Sequence, residues 1–146
     1  MKNRFHGILS ISLITVASMT GMAAIARESW LPAIIYLGIL IVSWMVVIGT
    51  FCVKCPCRLD SCAHVFPGII TKIFPEKKPG AYSVKDMVTT GLALIVIFTY
   101  PQYWLWKNKI LFMTFWLLTI TALAEINFFV CRACANRHCP NSRQTE

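Results

Sequence analysis

The sequence predicts an all-α integral membrane protein. It has four transmembrane helices in two tandem helical hairpins, under a cysteine-rich cytoplasmic cap. Three observations carry this reading. The 146 residues are 57% hydrophobic, with a mean hydropathy of +0.63, more apolar than an ordinary soluble domain. The apolar residues fall in runs. Gly7 to Ala26, Ser29 to Val53 and Met87 to Trp106 hold no charge, and Ile110 to Val130 holds one, Glu125. About 20 apolar residues cross the hydrocarbon core as a helix, so each run is long enough. Finally, all seven cysteines lie in two clusters, at the ends of the second and fourth runs.

The helices are expected over 7–26, 32–52, 86–106 and 110–131 of a single membrane domain, with a loop over 53–85 and a tail over 132–146. Lys2 and Arg4 precede the first helix, and residues 24–26 read Ala-Ile-Ala, so this segment also resembles a signal peptide. Cleavage there would leave both cysteine clusters on the same side. Pro32 suits the first turn of the second helix, where a missing N–H costs nothing. The loop is too long for a plain turn. Ile69, Ile70, Ile73 and Phe74 recur at helical spacing with Lys72 off their face, which predicts a short amphipathic helix over 68–74 on the membrane surface. Ser83 and Asp86, three apart, form a capping-box pattern for the third helix. Pro101 loosens that helix near its end. Trp30, Tyr100, Tyr103, Trp104 and Trp106 cluster at the outer end, as in an interfacial aromatic belt. Gly38, Gly49 and Gly91 are places for close helix contact.

The two halves read as a repeat. Cys52 and Cys131 end their helices 79 positions apart, and each opens a C-x₂-C pair. A two-fold axis along the membrane normal would relate such halves and bring the ends of helices 2 and 4 together. Orientation follows from the basic residues. Eleven of the 14 lie at the termini or in the loop over 53–85, and only Arg27, Lys107 and Lys109 fall on the other side. Positive segments stay cytoplasmic. Both termini and both clusters are therefore expected to face the cytoplasm, in a cell (inner or plasma) membrane. The net charge of +8 is mostly this bias, with an attraction to anionic lipid. No basic, aromatic-interleaved soluble surface is left for nucleic acid.

The candidate metal ligands are Cys52, Cys55, Cys57, Cys62 and His64 in the first cluster, and Cys131, Cys134, His138 and Cys139 in the second. Clustered thiols in a reducing compartment point to metal rather than disulfides. Two C-x₂-C pairs suit a tetrahedral zinc site, with Cys52, Cys55, Cys131 and Cys134 as the first choice. Lys54 and Arg132 are placed to offset the charge of such thiolates. The spacings also suit an iron–sulfur cluster. Thiol–disulfide exchange is a third use. Cys52 and Cys131 end helices, however, where the dipole disfavours a thiolate.

His6 reads as an interfacial residue. No histidine falls within the four runs, which leaves no bis-histidine haem in the bilayer. Glu125, about 9 Å of helix rise before Cys131, is expected to make a helix–helix hydrogen bond, although any intramembrane carboxylate is a functional candidate. No phosphate loop, catalytic triad or carboxylate pair is present. The expected function is non-enzymatic. It is a membrane protein, alone or as a homo-oligomer, whose zinc-like site organises a cytoplasmic face for a protein partner or membrane complex. The alternatives are an iron–sulfur electron-transfer subunit and a thiol–disulfide oxidoreductase.

Overall fold

A computed structural model describes residues 2–55, 62, 64–75, 80–132 and 136 of the chain. The described elements are helical, and no strand occurs among them. They are α1 (Lys2–Ala26), α2 (Trp30–Val47, continued by a π-helical turn over Ile48–Cys52), α3 (Val65–Ile70, followed by a 3₁₀ turn over Thr71–Ile73), α4 (Val84–Thr99), α5 (Gln102–Lys107) and α6 (Lys109–Glu125, continued by a π-helical turn over Ile126–Val130). Four stretches are long and apolar enough to cross a membrane: Arg4–Ala26, Trp30–Cys52, Val84–Lys107 and Lys109–Val130. Much of their apolar surface points outward. Ile34 is 64% exposed, Ile110 77% and Leu117 68%. Soluble monomers rarely carry such continuous apolar faces, whereas a hydrocarbon solvent favours them.

Packing is closest between α1 and α6, then between α2 and α4, with α1 also lying on α2. The spans at Trp30–Cys52 and Lys109–Val130 do not form one of the closely packed pairs. The repeat predicts that the ends of these two helices come together; along their lengths both pack on α1 instead, and the former on α4 as well. Small residues let α1 approach its neighbours: Gly7, Ser10, Ala17, Gly21 and Ala24 are buried. A Cβ on Gly21 would stand 3.2 Å from the Pro101 side chain and 3.3 Å from the Tyr36 hydroxyl. The glycines singled out by sequence behave differently. Gly38 and Gly91 face open space, and Gly49 lies against the Phe74 ring rather than another span.

Helix starts follow local chemistry. The Ser83 hydroxyl accepts the Asp86 N–H and the Asp86 carboxylate accepts the Ser83 N–H, completing the capping box. The Asn108 side chain accepts the N–H groups of Ile110 and Leu111 at 3.2 Å each, and so starts α6. Pro101 divides α4 from α5. Its ring removes the N–H that would have bonded the Ile97 carbonyl one turn back. The buried Tyr36 hydroxyl donates to that carbonyl instead, at 3.3 Å. The Gln102 side chain covers the next carbonyl, on Phe98, at 2.6 Å.

The outer aromatic group divides in two. Trp30, Tyr103 and Trp106 are exposed, as a belt requires. Tyr100 instead stacks between Tyr36 and Trp104, at 5.5 Å from each. The loop helix also departs from its expected face. It gives way to a 3₁₀ turn after Ile70, and the tighter turn rotates successive side chains. Ile69 and Ile73 are exposed, whereas Ile70 and Phe74 pack inward.

Removing the Tyr36 hydroxyl should orphan the Ile97 carbonyl at membrane depth. Tyr36→Phe is expected to lower stability by about 1–3 kcal/mol, read as a lower melting temperature in detergent. In a Pro101→Ala background, which restores the backbone donor, the same substitution should cost markedly less.

Candidate metal centre

Both cysteine clusters are reached through the same irregular backbone. α2 widens into a π turn, with Val53 N–H bonded to the Ile48 carbonyl at 3.0 Å. α6 does likewise, with Cys131 N–H bonded to the Ile126 carbonyl at 2.7 Å. Short π turns in helices gather at functional sites. Side chains steady the first one. The Thr50 hydroxyl meets the Val46 carbonyl at 2.7 Å and Thr90 of α4 at 2.8 Å.

Beyond the π turn the chain tightens into a knuckle, closed by Cys55 N–H on the Cys52 carbonyl at 3.1 Å. The Cys52 sulfur lies within electrostatic reach of the Cys55 and Cys62 sulfurs. Cys62 donates to the His64 carbonyl at 3.3 Å. His64 in turn meets the Gly7 carbonyl through Nδ1 at 3.1 Å. A carbonyl only accepts, so Nδ1 carries the proton, and Nε2 of the neutral ring keeps its lone pair. Burial pushes His64 below the ordinary histidine range, while the Gly7 carbonyl pulls the other way. The first cluster thus sets two thiols within electrostatic reach of a third, beside a histidine whose tautomer is the one a metal ligand needs.

Lys54 has another occupation than the one expected. Its ammonium pairs with the Asp86 carboxylate, which also accepts from the Ser83 hydroxyl at 2.8 Å. The knuckle is thereby tied to the start of α4, and this cation's charge is directed to Asp86 rather than to the thiols. Arg132, beside Cys131, is exposed.

Two residues not singled out by sequence join the clusters. Asn136 lies in the second cluster's segment and is only 2% exposed. Its amide donates to the Cys55 sulfur at 3.6 Å and to the Tyr82 hydroxyl at 3.1 Å. Tyr82 passes the link on, donating to the Phe51 carbonyl at 3.3 Å and stacking on the Phe51 ring at 4.2 Å. The one available signal was position: an amide two residues after Cys134, and a tyrosine just before a helix cap.

A second polar contact holds the same end of the molecule. α1 begins earlier than the apolar run, so His6 belongs to the helix. Its Nδ1 donates to the Glu125 carboxylate at 2.7 Å, and its ring stacks on Phe129 at 4.4 Å. Glu125 therefore makes the interhelical hydrogen bond expected of it.

Of the nine candidate ligands, Cys57, Cys134, His138 and Cys139 lie outside the described residues. Among the described residues, no three His, Cys, Asp or Glu side chains converge closely enough to hold a metal ion. A complete coordination shell would therefore draw on the other four or require the knuckle to close. Asn136→Ala should release Cys55 without touching a candidate ligand. The expected result is several-fold faster maleimide labelling of Cys55, followed by peptide mass spectrometry. Tyr82→Phe should give a smaller rise, because the ring stack on Phe51 survives. No protein-family model, curated protein or solved structure matches the chain.

Proposed function

We propose that this chain is an integral membrane metal-binding protein. Its two cysteine clusters would form a structural, zinc-like centre at the cytoplasmic ends of the second and fourth spans. That centre would organise a cytoplasmic face for a protein partner or a neighbouring subunit. The observation that carries the reading is the Asn136 amide on the Cys55 sulfur at 3.6 Å. It joins the segment of the second cluster to a thiol of the first. Cytoplasmic placement rests on the basic residues, which concentrate on the side of the cysteines.

Cys52, Cys55, Cys131 and Cys134 are the primary ligands on this reading. Cys57, Cys62, His64, His138 and Cys139 complete the shell or build a second one. Zinc would supply a redox-inert cross-link between polar segments too short to fold alone. The Asn136 contact also favours a second reading, an iron–sulfur electron-transfer subunit, because hydrogen bonds to sulfur tune cluster potentials.

Elemental analysis of anaerobically purified protein, with its visible spectrum, separates the readings. Zinc in stoichiometric amount without colour supports the structural centre. Iron with labile sulfide and a bleachable brown colour replaces it with the electron-transfer reading. Metal-free protein that cycles between thiol and disulfide forms overturns both. Cys52→Ser and Cys131→Ser should each lower the metal content. Full occupancy in both variants would rule out a centre shared between the clusters.

A further inference from the structure

The loop helix closes one side of a groove between the first two spans. α3 packs on the π turn of α2 and on α1, and the three elements enclose an open groove of about 320 Å³. Ile11 and Thr15 of α1 form one wall, and Leu40, Trp44 and Ile48 of α2 form the other. Pro67 and Ile70 of α3 line the remaining side. The Thr15 hydroxyl already donates to the Ile11 carbonyl at 2.9 Å, so it offers no spare donor. The walls are otherwise hydrocarbon, apart from the single indole N–H of Trp44. A headgroup would find nothing to hold it inside, whereas an alkyl chain would be well solvated.

Depth narrows the occupant. Leu40 to Ile48 covers about 12 Å of helix rise, most of one leaflet of a hydrocarbon core about 30 Å thick. Ile48 stands four residues before Cys52, so the groove belongs to the leaflet on the cysteine side. Charge narrows it further. Arg4 precedes Ile11 by seven residues and Thr15 by eleven, which sets it on the same face of α1 about 10 Å beyond the groove. Lys72 follows Ile70 by two residues. Both cations are exposed and stand at the headgroup level of that leaflet.

We propose that this groove is a binding site for one acyl chain of an anionic phospholipid, whose phosphate is held between Arg4 and Lys72. The site rests on the reading of the four helices as membrane spans and is independent of the metal centre.

The test is native mass spectrometry of the full chain, released from nanodiscs containing equal phosphatidylcholine and phosphatidylglycerol. One retained phospholipid per chain is expected, enriched several-fold in phosphatidylglycerol. Met45→Trp, at the rim of the groove, should abolish retention while helix content by circular dichroism stays unchanged. Arg4→Gln with Lys72→Gln, both on the surface, should keep the lipid and lose the preference for phosphatidylglycerol. Equal retention in the wild type and Met45→Trp would overturn the site. So would no retained lipid, an unchanged preference in the double variant, or a neutral isoprenoid quinone as the retained species. Recovery of the chain in the soluble fraction of cells would overturn the membrane reading itself, and the site with it. Metal content should be the same in all three proteins.

Discussion

Backbone satisfaction in a solvent without hydrogen bonds is the constraint on which this structure depends. In hydrocarbon every unpaired N–H or C=O costs several kcal/mol, so a span is helical or closes its gaps with side chains. Hydroxyls on the spans turn back on their own helices. Thr15, Ser18, Thr20, Thr99, Thr119 and Thr121 each donate to the carbonyl four residues earlier. Such bonds hide the polar groups and leave the outer surface apolar. Where the ladder breaks at Pro101, Tyr36 and Gln102 cover the two exposed carbonyls. A buried aromatic stack and a proline kink are therefore two consequences of one requirement.

Departures from the α-helix occur at both ends of the bundle, with different results. At the end away from the cysteines the break falls at Pro101 and is filled by packed side chains. At the cysteine end both spans widen into π turns that contain no proline, and each turn leads to a cysteine. Besides the Asn136 link to Cys55 and Tyr82, contacts at that end run through α1. Gly7 receives His64 from the loop, and His6 reaches Glu125 and Phe129 of the last span. α1 thus packs on both spans that lead to the cysteines, which themselves do not form a closely packed pair.

Much of this was legible in the sequence, for identifiable reasons. Charge-free runs are a strong signal because a charge within the bilayer is so costly, and they located the four long helices within a few residues. The pairing of Ser83 with Asp86 was legible because a capping box is local. The first helix starts before the expected Gly7 because hydropathy ends a helix where polarity begins, whereas the hydrogen-bonding ladder continues into the polar flank. The π turns left no trace, since the wider ladder has no distinct residue preference to read. Tyr36 over Ile97, and Asn136 over Cys55, are separated by 61 and 81 positions. A single sequence carries no information on such pairs.

The charges at the cysteine end bear on which ligands a metal would take. Four thiolates around a divalent ion leave two negative charges, and three thiolates with one imidazole leave one. At a membrane surface that difference matters, because each uncompensated charge is poorly solvated on its bilayer side. Lys54, the cation nearest the first knuckle in sequence, is engaged by Asp86. The Asn136 amide offers a dipole to sulfur rather than a charge. His64, neutral and with Nδ1 held by Gly7, is the described residue able to replace a thiolate without adding charge. In the proposed centre this makes His64 the first candidate among the described residues to complete the shell around the primary cysteines, or to serve a second site, without adding charge.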